Sequence, residues 1–495
     1  MPPAGEGTDA GCVTRGIGAA AAGETTPYRV AGRPASSKDI VEVRSPYDGK
    51  LAGTTSNATA ADIEDAVAAA ATADRALPAH ARAAALDHVS RRLAERAAEV
   101  AALVTAESGK PVKWAAAEVT RAVSTFRWAA EEARRDSGEL QRLDTDPAST
   151  GRLALVRRAP RGPVLGITPF NFPLNLVAHK VAPAIAAGCP IIVKPAPATP
   201  LTALLLGELL AETGLPEGAW SVLPMTNATA AELVADPRLP VVSFTGSVPV
   251  GWSIRDRVPR KHVTLELGGN AAAVVCPDWT DLAGAARRIA TFAMYQAGQS
   301  CISVQRVYAH RAVYAELADR VVAEVRALRT GDPTDPATDV GPLIDEAAAG
   351  RVQSWVQEAV AAGARILTGG ERDGATMAPT VLAGAPDDCR VNADEVFGPV
   401  LTLAPVDDVD EAFARINASR FGLQAGVFTH DLRTAFRASA DLDVGGVIVG
   451  DVPSYRADQL PYGGVKDSGT GREGVRAAMD DLTEARTLVL TGIRW

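Results

Sequence analysis

The sequence predicts an α/β protein, because short apolar runs alternate with helical segments over much of its length. The runs have the composition of buried parallel strands and lie at residues 164–168, 190–194, 221–223, 241–244 and 262–267. Helical segments separate them, notably 200–213 and 248–257. This alternation indicates a doubly wound sheet, whose ligands bind where strands end and helices begin.

Further elements surround this sheet. A second α/β block runs from about residue 268 to residue 452, with an amphipathic helix at 312–328. Upstream, residues 59–135 have helical periodicity, with a helix stop at 108–111. Residues 151–157 alternate in polarity and predict an exposed hairpin strand. Residues 1–26 are rich in Ala, Gly and Thr, without the regions of a secretory signal, and predict a disordered tail.

Composition excludes several classes of protein. At 495 residues the chain is long enough for two or three domains. A net charge of -9 without a basic block argues against nucleic acid as a partner. No apolar run approaches the roughly 18 residues that a membrane span needs, so we expect a cytoplasmic protein. Five cysteines without a CxxC pair argue against both a disulfide framework and a metal site.

Cys301 is the cysteine with the most informative surroundings. It follows a Gly-Gln turn and lies downstream of an apolar strand that ends near Glu266. A thiol beside a carboxylate could be a nucleophile supplied with a base, although most single cysteines of such proteins are buried and inert. Cys189 and Cys276 lie within apolar runs and are expected to be buried. From these residues alone, both interpretations of Cys301 remain open.

The motifs around Cys301 resemble a known family. Residues 298–301 and 265–270 are similar to the paired active-site signatures of the aldehyde dehydrogenase superfamily, and the 35 residues from Glu266 to Cys301 agree with that family's spacing. Further matching motifs follow in the family's order, at residues 168–173, 193–195 with 199–200, 244–247, 395–399 and 461–469. The resemblance therefore covers nearly all of the chain beyond the first 26 residues.

The resemblance implies catalytic roles for five residues. Cys301 would attack an aldehyde, and the Asn171 amide and the Cys301 backbone N–H would stabilise the resulting oxyanion. Glu266 would activate the water that hydrolyses the thioester. Lys180 and Glu473 match positions that relay the proton outward. A turn residue for Asn171, a strand-end charge for Glu266 and a structural ion pair for Lys180 and Glu473 are the alternatives.

The resemblance also implies NAD or NADP as cofactor. Residues 246–251 open a helix directly after a strand and would present N–H groups to a pyrophosphate. Pro197 stands where NAD-preferring relatives often carry a Glu, so NADP is admissible as well. The expected cofactor-binding residues are Thr168, Pro169, Phe170, Lys194, Pro197, Gly246, Ser247, Gly251, Leu267, Glu395 and Phe397.

The substrate is expected to be a small polar aldehyde. The chain looks most similar to the branch that oxidises lactaldehyde, glyceraldehyde phosphate and phosphonoaldehydes. Arg121, Ser300, Tyr455 and Arg456 are the candidate contacts. Arg121 matches an arginine that binds phosphate or phosphonate in some relatives, but their second arginine is replaced by Ser300. The headgroup, whether phosphonate, phosphate or hydroxyl, therefore stays open.

The resemblance divides the chain into parts. A Rossmann-type cofactor domain would span residues 27–140 and 162–267, and a catalytic domain 268–453. A small β element at 141–161 and 485–495 would join subunits into a homodimer or homotetramer, and residues 454–484 would line the substrate pocket.

Two other activities compete with this interpretation. A CoA-acylating semialdehyde dehydrogenase would generally lack the carboxylate of Glu266. A cysteine hydrolase would need a histidine partner for Cys301, and only His179 and His262 lie near the motifs. A silent homologue would have lost Cys301, Asn171 or Glu266.

Overall fold

The computed structural model describes residues 25–73 and 77–493 and has the predicted α/β architecture. Most of the predicted N-terminal tail lies outside these residues. The two tail positions that are described, Thr25 and Thr26, pair with Thr54 at the end of a strand. Within 25–73 and 77–493, no helix is both long and apolar enough to cross a membrane.

The N-terminal part combines short antiparallel strands with four helices. The longest of these helices, Val112–Arg135, packs against helices Ala79–Glu95, Ala97–Ser108 and Asn175–Ala187, and ten of its side chains, including Phe126, are buried at helical spacing. In chain order the elements are β1 (Tyr28–Val30), β2 (Arg33–Ala35), β3 (Ile40–Arg44), β4 (Leu51–Ser56), α1 (Ala60–Thr72), α2 (Ala79–Glu95), α3 (Ala97–Ser108), α4 (Val112–Arg135), β5 (Gly138–Arg142) and β6 (Arg152–Pro160).

The first large sheet follows directly. Its elements are β7 (Val164–Ile167), α5 (Asn175–Ala187), β8 (Ile191–Lys194), α6 (Leu201–Ala211), β9 (Trp220–Val222), α7 (Asn227–Leu233), β10 (Val241–Thr245), α8 (Val248–Arg257) and β11 (His262–Glu266). The five strands from β7 to β11 match the five predicted runs to within two residues at each end. They lie parallel in the order β9-β8-β7-β10-β11.

Register places the ends of three of these strands side by side. Thr245, the last residue of β10, pairs with Glu266, and Phe244 pairs with Ile167 at the end of β7. The segments that leave these strands therefore start at one edge of the sheet, where ligands of doubly wound proteins bind.

The second sheet has seven strands, of which six are parallel. Their order is β14-β17-β18-β13-β12-β20-β21, with β14 antiparallel at one edge. The elements of this part are β12 (Ala272–Val275), α9 (Leu282–Met294), β13 (Arg306–His310), α10 (Arg311–Ala327), α11 (Glu346–Ala361), β14 (Arg365–Thr368), β15 (Arg372–Asp373), β16 (Thr376–Met377), β17 (Thr380–Ala383), α12 (Arg390–Ala393), β18 (Val400–Val406), α13 (Val409–Asn417), β19 (Phe421–Gly422), β20 (Gln424–Phe428), α14 (Leu432–Asp441) and β21 (Gly446–Val449).

The C-terminal part returns to the first sheet. It contains β22 (Val465–Lys466), β23 (Gly469–Thr470), α15 (Val475–Leu482) and β24 (Thr483–Thr491). Strand β23 pairs with β11, and α15 packs on α5, so Val475, Met479 and Leu482 join the core of the first sheet. A separate cluster of buried apolar side chains, from residues between Ala273 and Val452, packs against the second sheet.

A three-stranded antiparallel sheet stands apart from both cores, in the order β24-β6-β5. It contains the predicted hairpin strand, but its strands begin at Gly138 and Thr483, slightly before the predicted boundaries. Four large apolar side chains of this sheet are exposed: Leu140, Leu155, Leu488 and Val489.

The predicted helix stop after α3 is confirmed. Gly109 takes the left-handed conformation, with a φ of 70°, and its N–H donates to the carbonyl of Thr105. A β-carbon at this position would lie 2.6 Å from Pro342 Cγ and 2.7 Å from Pro46 Cγ. Gly109 thus meets both a backbone and a steric requirement.

Gly109→Ala should lower stability more than Gly49→Ala does. Gly49 has the same φ of 70°, but a β-carbon there would have no neighbour within 4 Å. We expect about 1 kcal/mol of backbone cost at either position and roughly 1–3 kcal/mol more at Gly109 from overpacking. Thermal unfolding of the two variants measures the difference, and equal midpoints would contradict the steric argument.

Candidate active site

A cavity of about 320 Å³ lies at the edge where β7, β10 and β11 end. It brings together most of the residues that the sequence predicts for catalysis and substrate binding. These are Asn171, Glu266, Cys301, Glu473, Arg121, Ser300 and Arg456. Pro169, Phe170, Gly246, Ser247, Leu267, Glu395 and Phe397 line it too.

An adjoining cavity of about 370 Å³ contains three of the four remaining predicted cofactor contacts. It shares Pro169, Phe170, Gly246 and Ser247 with the first cavity. Thr168, Lys194 and Pro197 line it as well. The two cavities therefore meet at the strand ends, with the thiol on one side and the lysine on the other.

Three predicted site residues do not line these cavities. Tyr455 has 47% of its surface exposed and lies outside both linings, so its contact with a substrate stays a prediction. Gly251 faces Leu267, whose side chain a β-carbon there would overlap, so it allows α8 to pack closely against the sheet. Lys180 is buried behind the first cavity and reaches it through Glu473.

Cys301 is held by an unusual turn. In the short helix Tyr295–Gly298, Gln296 and Ala297 both have a φ of 53°, which non-glycine residues rarely adopt. A β-carbon on Gly298 would overlap the carbonyl of Gly398. Such backbone strain persists only where the surroundings enforce it, and it concentrates at functional sites.

Opposing influences act on the Cys301 sulfur. Burial raises the pKa of Cys301 to about 12, and the Tyr462 hydroxyl lies 2.9 Å from its Sγ. Because the thiolate is the reactive form, nucleophilic attack by Cys301 depends on groups that stabilise its negative charge.

Asn171 points its side-chain amide toward the segment before Cys301. Its Nδ2 donates to the Gln299 carbonyl at 3.0 Å, which uses one of two N–H groups. Its Oδ1 is buried and has no partner within residues 25–73 and 77–493, and the Gln296 side chain donates to its backbone carbonyl. The amide is thus fixed in the cavity with a second N–H for a ligand.

A buried ion pair supports the Asn171 loop from below. Glu118 on α4 accepts hydrogen bonds from the backbone N–H groups of Leu174 and Asn175 at 2.9 and 3.0 Å, at the start of α5. Lys110 neutralises Glu118 and lies 4.2 Å from the centre of the Phe172 ring. A carboxylate at a helix N-terminus is favourable, and here it also fixes the loop.

Glu266 ends β11 with its side chain almost fully buried. Its Oε1 has no hydrogen-bond partner among the described residues. Burial raises the pKa of Glu266 well above its usual value, and the negative charge of Glu473 adds to the effect. A carboxyl group with a raised pKa beside a thiol can act as a base near neutral pH.

Glu473 lies between two cations. Its Oε1 is 3.2 Å from Lys180 Nζ, and its Oε2 is 3.0 Å from Arg456 Nη2. Burial alone would raise the pKa of Glu473, but the charges of Lys180 and Arg456 hold it well below the usual range. The predicted relay residues are therefore an ion pair that also contacts the cavity.

Asp458 restrains the other arginine. Its Oδ1 accepts from Arg121 Nη2 at 3.0 Å and lies 3.2 Å from His179 Nε2. Burial opposes ionisation, but the His179 hydrogen bond and the Arg121 charge lower the pKa of Asp458 to about 2. Burial also lowers the pKa of His179 to about 4, so this histidine is neutral at pH 7.

The adjoining cavity fits a dinucleotide. Lys194 donates from Nζ to Asn227 Oδ1 at 2.7 Å, and burial lowers its pKa to about 8. Ser247 precedes α8 and makes no side-chain cap, so the Val248 and Val250 N–H groups in the first turn of that helix can donate to an anion; Pro249 between them has no N–H. Both features suit a ribose and a pyrophosphate.

Glu395 and Phe397 lie where the two cavities join. Glu395 accepts from the Gly269 N–H at 3.1 Å, and burial raises its pKa to about 7. A β-carbon on Gly268 would overlap its carboxyl group. The backbone of Phe397 has a φ of 47°. Its ring packs edge-on against that of Phe170, with 5.9 Å between the ring centres. The glycine allows the carboxylate to reach the junction.

The described residues provide neither a histidine partner for Cys301 nor a metal site. No histidine from 25–73 or 77–493 lines the cavity with Cys301, and those residues contain no group of ligands that could hold a metal ion. His179 faces Asp458, and His262 faces Asp481. A cysteine hydrolase is therefore not supported.

Sequence reasoning missed three side chains of this site. Tyr295 and Tyr462 lie in motifs that the sequence marks, yet no role was assigned to either. Tyr295 donates to the Ser300 hydroxyl at 2.9 Å, and Tyr462 contacts Cys301. Asp458 follows Arg456 by two residues but pairs with Arg121, which is 337 residues away in sequence. No pattern along the chain signals that pairing.

Comparison with known proteins agrees with this geometry. The chain matches the aldehyde dehydrogenase family over residues 33–488. It is 42% identical over 457 residues to a 3-sulfolactaldehyde dehydrogenase of Priestia aryabhattai, covering 92% of this chain and 96% of that protein.

Solved structures agree as well. Aldehyde dehydrogenase 21 of Physcomitrella patens, in complex with its product succinate, has a TM-score of 0.93 at 44% identity, covering 95% of this chain and 99% of that one. The NADP-dependent glyceraldehyde-3-phosphate dehydrogenase of Bacillus halodurans, complexed with NADP, has a TM-score of 0.91 at 33% identity, covering 95% and 100%. The resemblance inferred from the motifs is confirmed: the chain belongs to the aldehyde dehydrogenase family and is an NAD(P)-dependent aldehyde dehydrogenase.

Proposed function

We propose that this enzyme oxidises a small polar aldehyde with an anionic headgroup to the corresponding carboxylate. The observation that carries the proposal is the presence of two arginines, Arg121 and Arg456, in the same cavity as Cys301 and Glu266. The relatives named for 3-sulfolactaldehyde and for the product succinate act on molecules that carry a sulfonate or carboxylate group, which supports it.

In the first step the Cys301 sulfur adds to the aldehyde carbon. The carbonyl oxygen becomes negative and accepts hydrogen bonds from the Asn171 amide and the Cys301 backbone N–H. Preorganised donors of this kind contribute about 100- to 1000-fold each to the rate. The Glu118 contacts beneath residues 174 and 175 fix the loop that carries Asn171.

Bound NAD or NADP would supply the hydride acceptor that allows the Cys301 adduct to become a thioester. Lys194, Gly246 and Ser247 would hold the dinucleotide across the strand ends, and Glu395 with Phe397 would hold its reactive end near the sulfur. Pro197 lines this cavity at a position where a glutamate would repel the 2'-phosphate of NADP, so both NAD and NADP can be accepted.

Water then hydrolyses the thioester. Glu266 takes a proton from the water, and Glu473 with Lys180 offers a charged path away from the cavity. The carboxylate of Glu266 within this cavity favours hydrolysis over transfer of the acyl group to CoA.

The two arginines would bind the headgroup after exchanging partners. Asp458 pairs with Arg121, and Glu473 pairs with Arg456. A sulfonate or carboxylate can accept paired hydrogen bonds from a guanidinium group. Ser300 adds a hydroxyl group, rather than a further cation, directly before the nucleophile.

Glu266→Gln should separate oxidation from hydrolysis. With NAD or NADP and an anionic aldehyde, we expect a burst of about one reduced nicotinamide per site. Turnover would then be slower by about 100- to 10,000-fold, the usual contribution of a general base. Because the pKa of Glu266 is raised, wild-type turnover should increase with pH as the carboxylate forms. Glu232→Gln, at an exposed position of α7, is the control.

The readout is the absorbance of reduced nicotinamide. Folded wild-type protein that reduces neither cofactor with charged or neutral aldehydes would contradict the activity. A Glu266→Gln variant that turns over normally would contradict only the role of this carboxylate.

Arg121→Met and Arg456→Met should each discriminate between substrates. Succinate semialdehyde offers an anion and lactaldehyde does not. We expect kcat/KM for the anionic aldehyde to fall about 10- to 100-fold, since hydrogen bonds to charged groups are lost. The value for lactaldehyde should change much less. Arg260→Met, at an exposed position beyond α8, is the control. Equal losses for both aldehydes would remove the headgroup proposal.

We also propose that the protein is a homodimer or homotetramer. The exposed apolar side chains of the β5, β6 and β24 sheet need cover, and such sheets commonly pair between subunits. Light scattering should give a multiple of 51.3 kDa for the wild type and a smaller particle for Leu488→Asp. Ile40→Asp, an equally exposed position on β3, should leave the assembly unchanged. A monomeric wild type would contradict the proposal.

A further inference from the structure

Tyr462 is held in the cavity by both its backbone and its ring, although no step of the mechanism proposed for the aldehyde uses it. Its backbone exchanges two hydrogen bonds with Glu473, from Tyr462 N to Glu473 O at 2.9 Å and from Glu473 N to Tyr462 O at 2.7 Å. Its ring packs in a small apolar cluster with Ile302, Leu423 and Cys301. Only 5% of the residue is exposed. Backbone and ring together aim the hydroxyl at one point.

That point is the sulfur of Cys301. The Tyr462 oxygen lies 2.9 Å from Sγ, a hydrogen-bonding distance. A thiol with a raised pKa is a poor nucleophile near neutral pH, because the reactive form is the thiolate and the partly buried site disfavours its charge. A donor at the sulfur opposes that effect, since a hydrogen bond to a charged form favours that form.

The surroundings keep Tyr462 a donor rather than a base. Burial raises the pKa of its phenol well above the usual value, so the hydroxyl keeps its proton at neutral pH. The Arg456 guanidinium lies 3.8 Å from the centre of its ring. A cation over a phenol ring draws electron density from it and makes the hydroxyl a stronger donor.

Other charged groups that face the sulfur act in different ways. Arg456 favours the thiolate, whereas Glu266 and Glu395 disfavour it when they are ionised. Asn171 and the Cys301 N–H are directed at the carbonyl oxygen of a substrate. Tyr462 is thus the neutral hydroxyl in contact with the nucleophilic atom itself.

We propose that the Tyr462 hydroxyl is a catalytic hydrogen-bond donor that stabilises the Cys301 thiolate and orients it for attack; this rests on the nucleophilic role proposed for Cys301. On ionisation the S–H bond breaks and the proton leaves to water or to the Glu266 carboxylate. Tyr462 retains its own proton and donates to the sulfur. When the sulfur forms its bond to the aldehyde carbon, its negative charge passes to the oxygen, and the Tyr462 hydrogen bond weakens.

Alkylation of Cys301 by iodoacetamide tests this without aldehyde or cofactor. Rates would be measured against pH, with mass spectrometry distinguishing Cys301 from Cys12, Cys189, Cys276 and Cys389. In Tyr462→Phe we expect the midpoint of the profile to move up by about one pH unit, so alkylation below the midpoint is about tenfold slower. Tyr47→Phe, at an exposed tyrosine in a loop, is the matched control.

The outcomes separate the two proposals. If Cys301 of the wild type is not alkylated in preference to the three buried cysteines at any pH, the nucleophile assignment fails. If it is alkylated but the profiles of wild type and Tyr462→Phe coincide, only the role of Tyr462 is overturned. Thermal unfolding checks that the variant is folded. If the variant is unstable, the pH titration of the thiolate can be followed by ultraviolet absorbance, as the difference between wild type and Cys301→Ala. A midpoint as high as that of a buried thiol without a hydrogen-bond donor would overturn the proposal.

Discussion

The structure depends on the parallel register of β7, β10 and β11. The last residues of these strands, Ile167, Thr245 and Glu266, lie side by side at one edge of the sheet. The three segments that follow the strands therefore start at the same place. The Asn171 loop, the start of α8 and the Glu266 carboxylate are consequences of that edge. A slip of one residue would turn the Glu266 side chain to the other face of the sheet and separate the base from the thiol.

The second constraint is charge balance in a buried site. Arg456 pairs with Glu473, which also pairs with Lys180, and Arg121 pairs with Asp458. Each of these three cations therefore has an acidic partner, which limits the cost of burying it. Glu266 Oε1 has no hydrogen-bond partner among the described residues, and burial with the charge of Glu473 raises its pKa, so its proton stays bound to higher pH. The proposed substrate-binding groups, Arg121 and Arg456, are therefore in ion pairs, whereas the proposed base, Glu266, is in none among the described residues.

Much of the site could be predicted from sequence because its chemistry lies in short motifs. Cys301, Glu266, Asn171, Lys194 and Glu395 all lie beside glycines, prolines or strand ends that mark them locally, and the structure brings them to adjoining cavities. Tyr455 was assigned to the pocket for its place beside Arg456, but neighbours along an irregular segment can face opposite ways. Its side chain is exposed, whereas that of Arg456 is buried.

The sequence by itself determined the order of strands and helices, the α/β class and the family, because hydrophobic periodicity and short motifs are local properties. Only the tertiary structure decided which distant residues meet. The Asp458–Arg121 pair, the Glu118 support beneath the Asn171 loop and the contact of Tyr462 with Cys301 join positions 337, 56 and 161 residues apart. Such contacts follow from the packing of the C-terminal segment and of α4 against the sheet edge. The raised pKa of the Cys301 thiol likewise follows from burial, which no motif encodes.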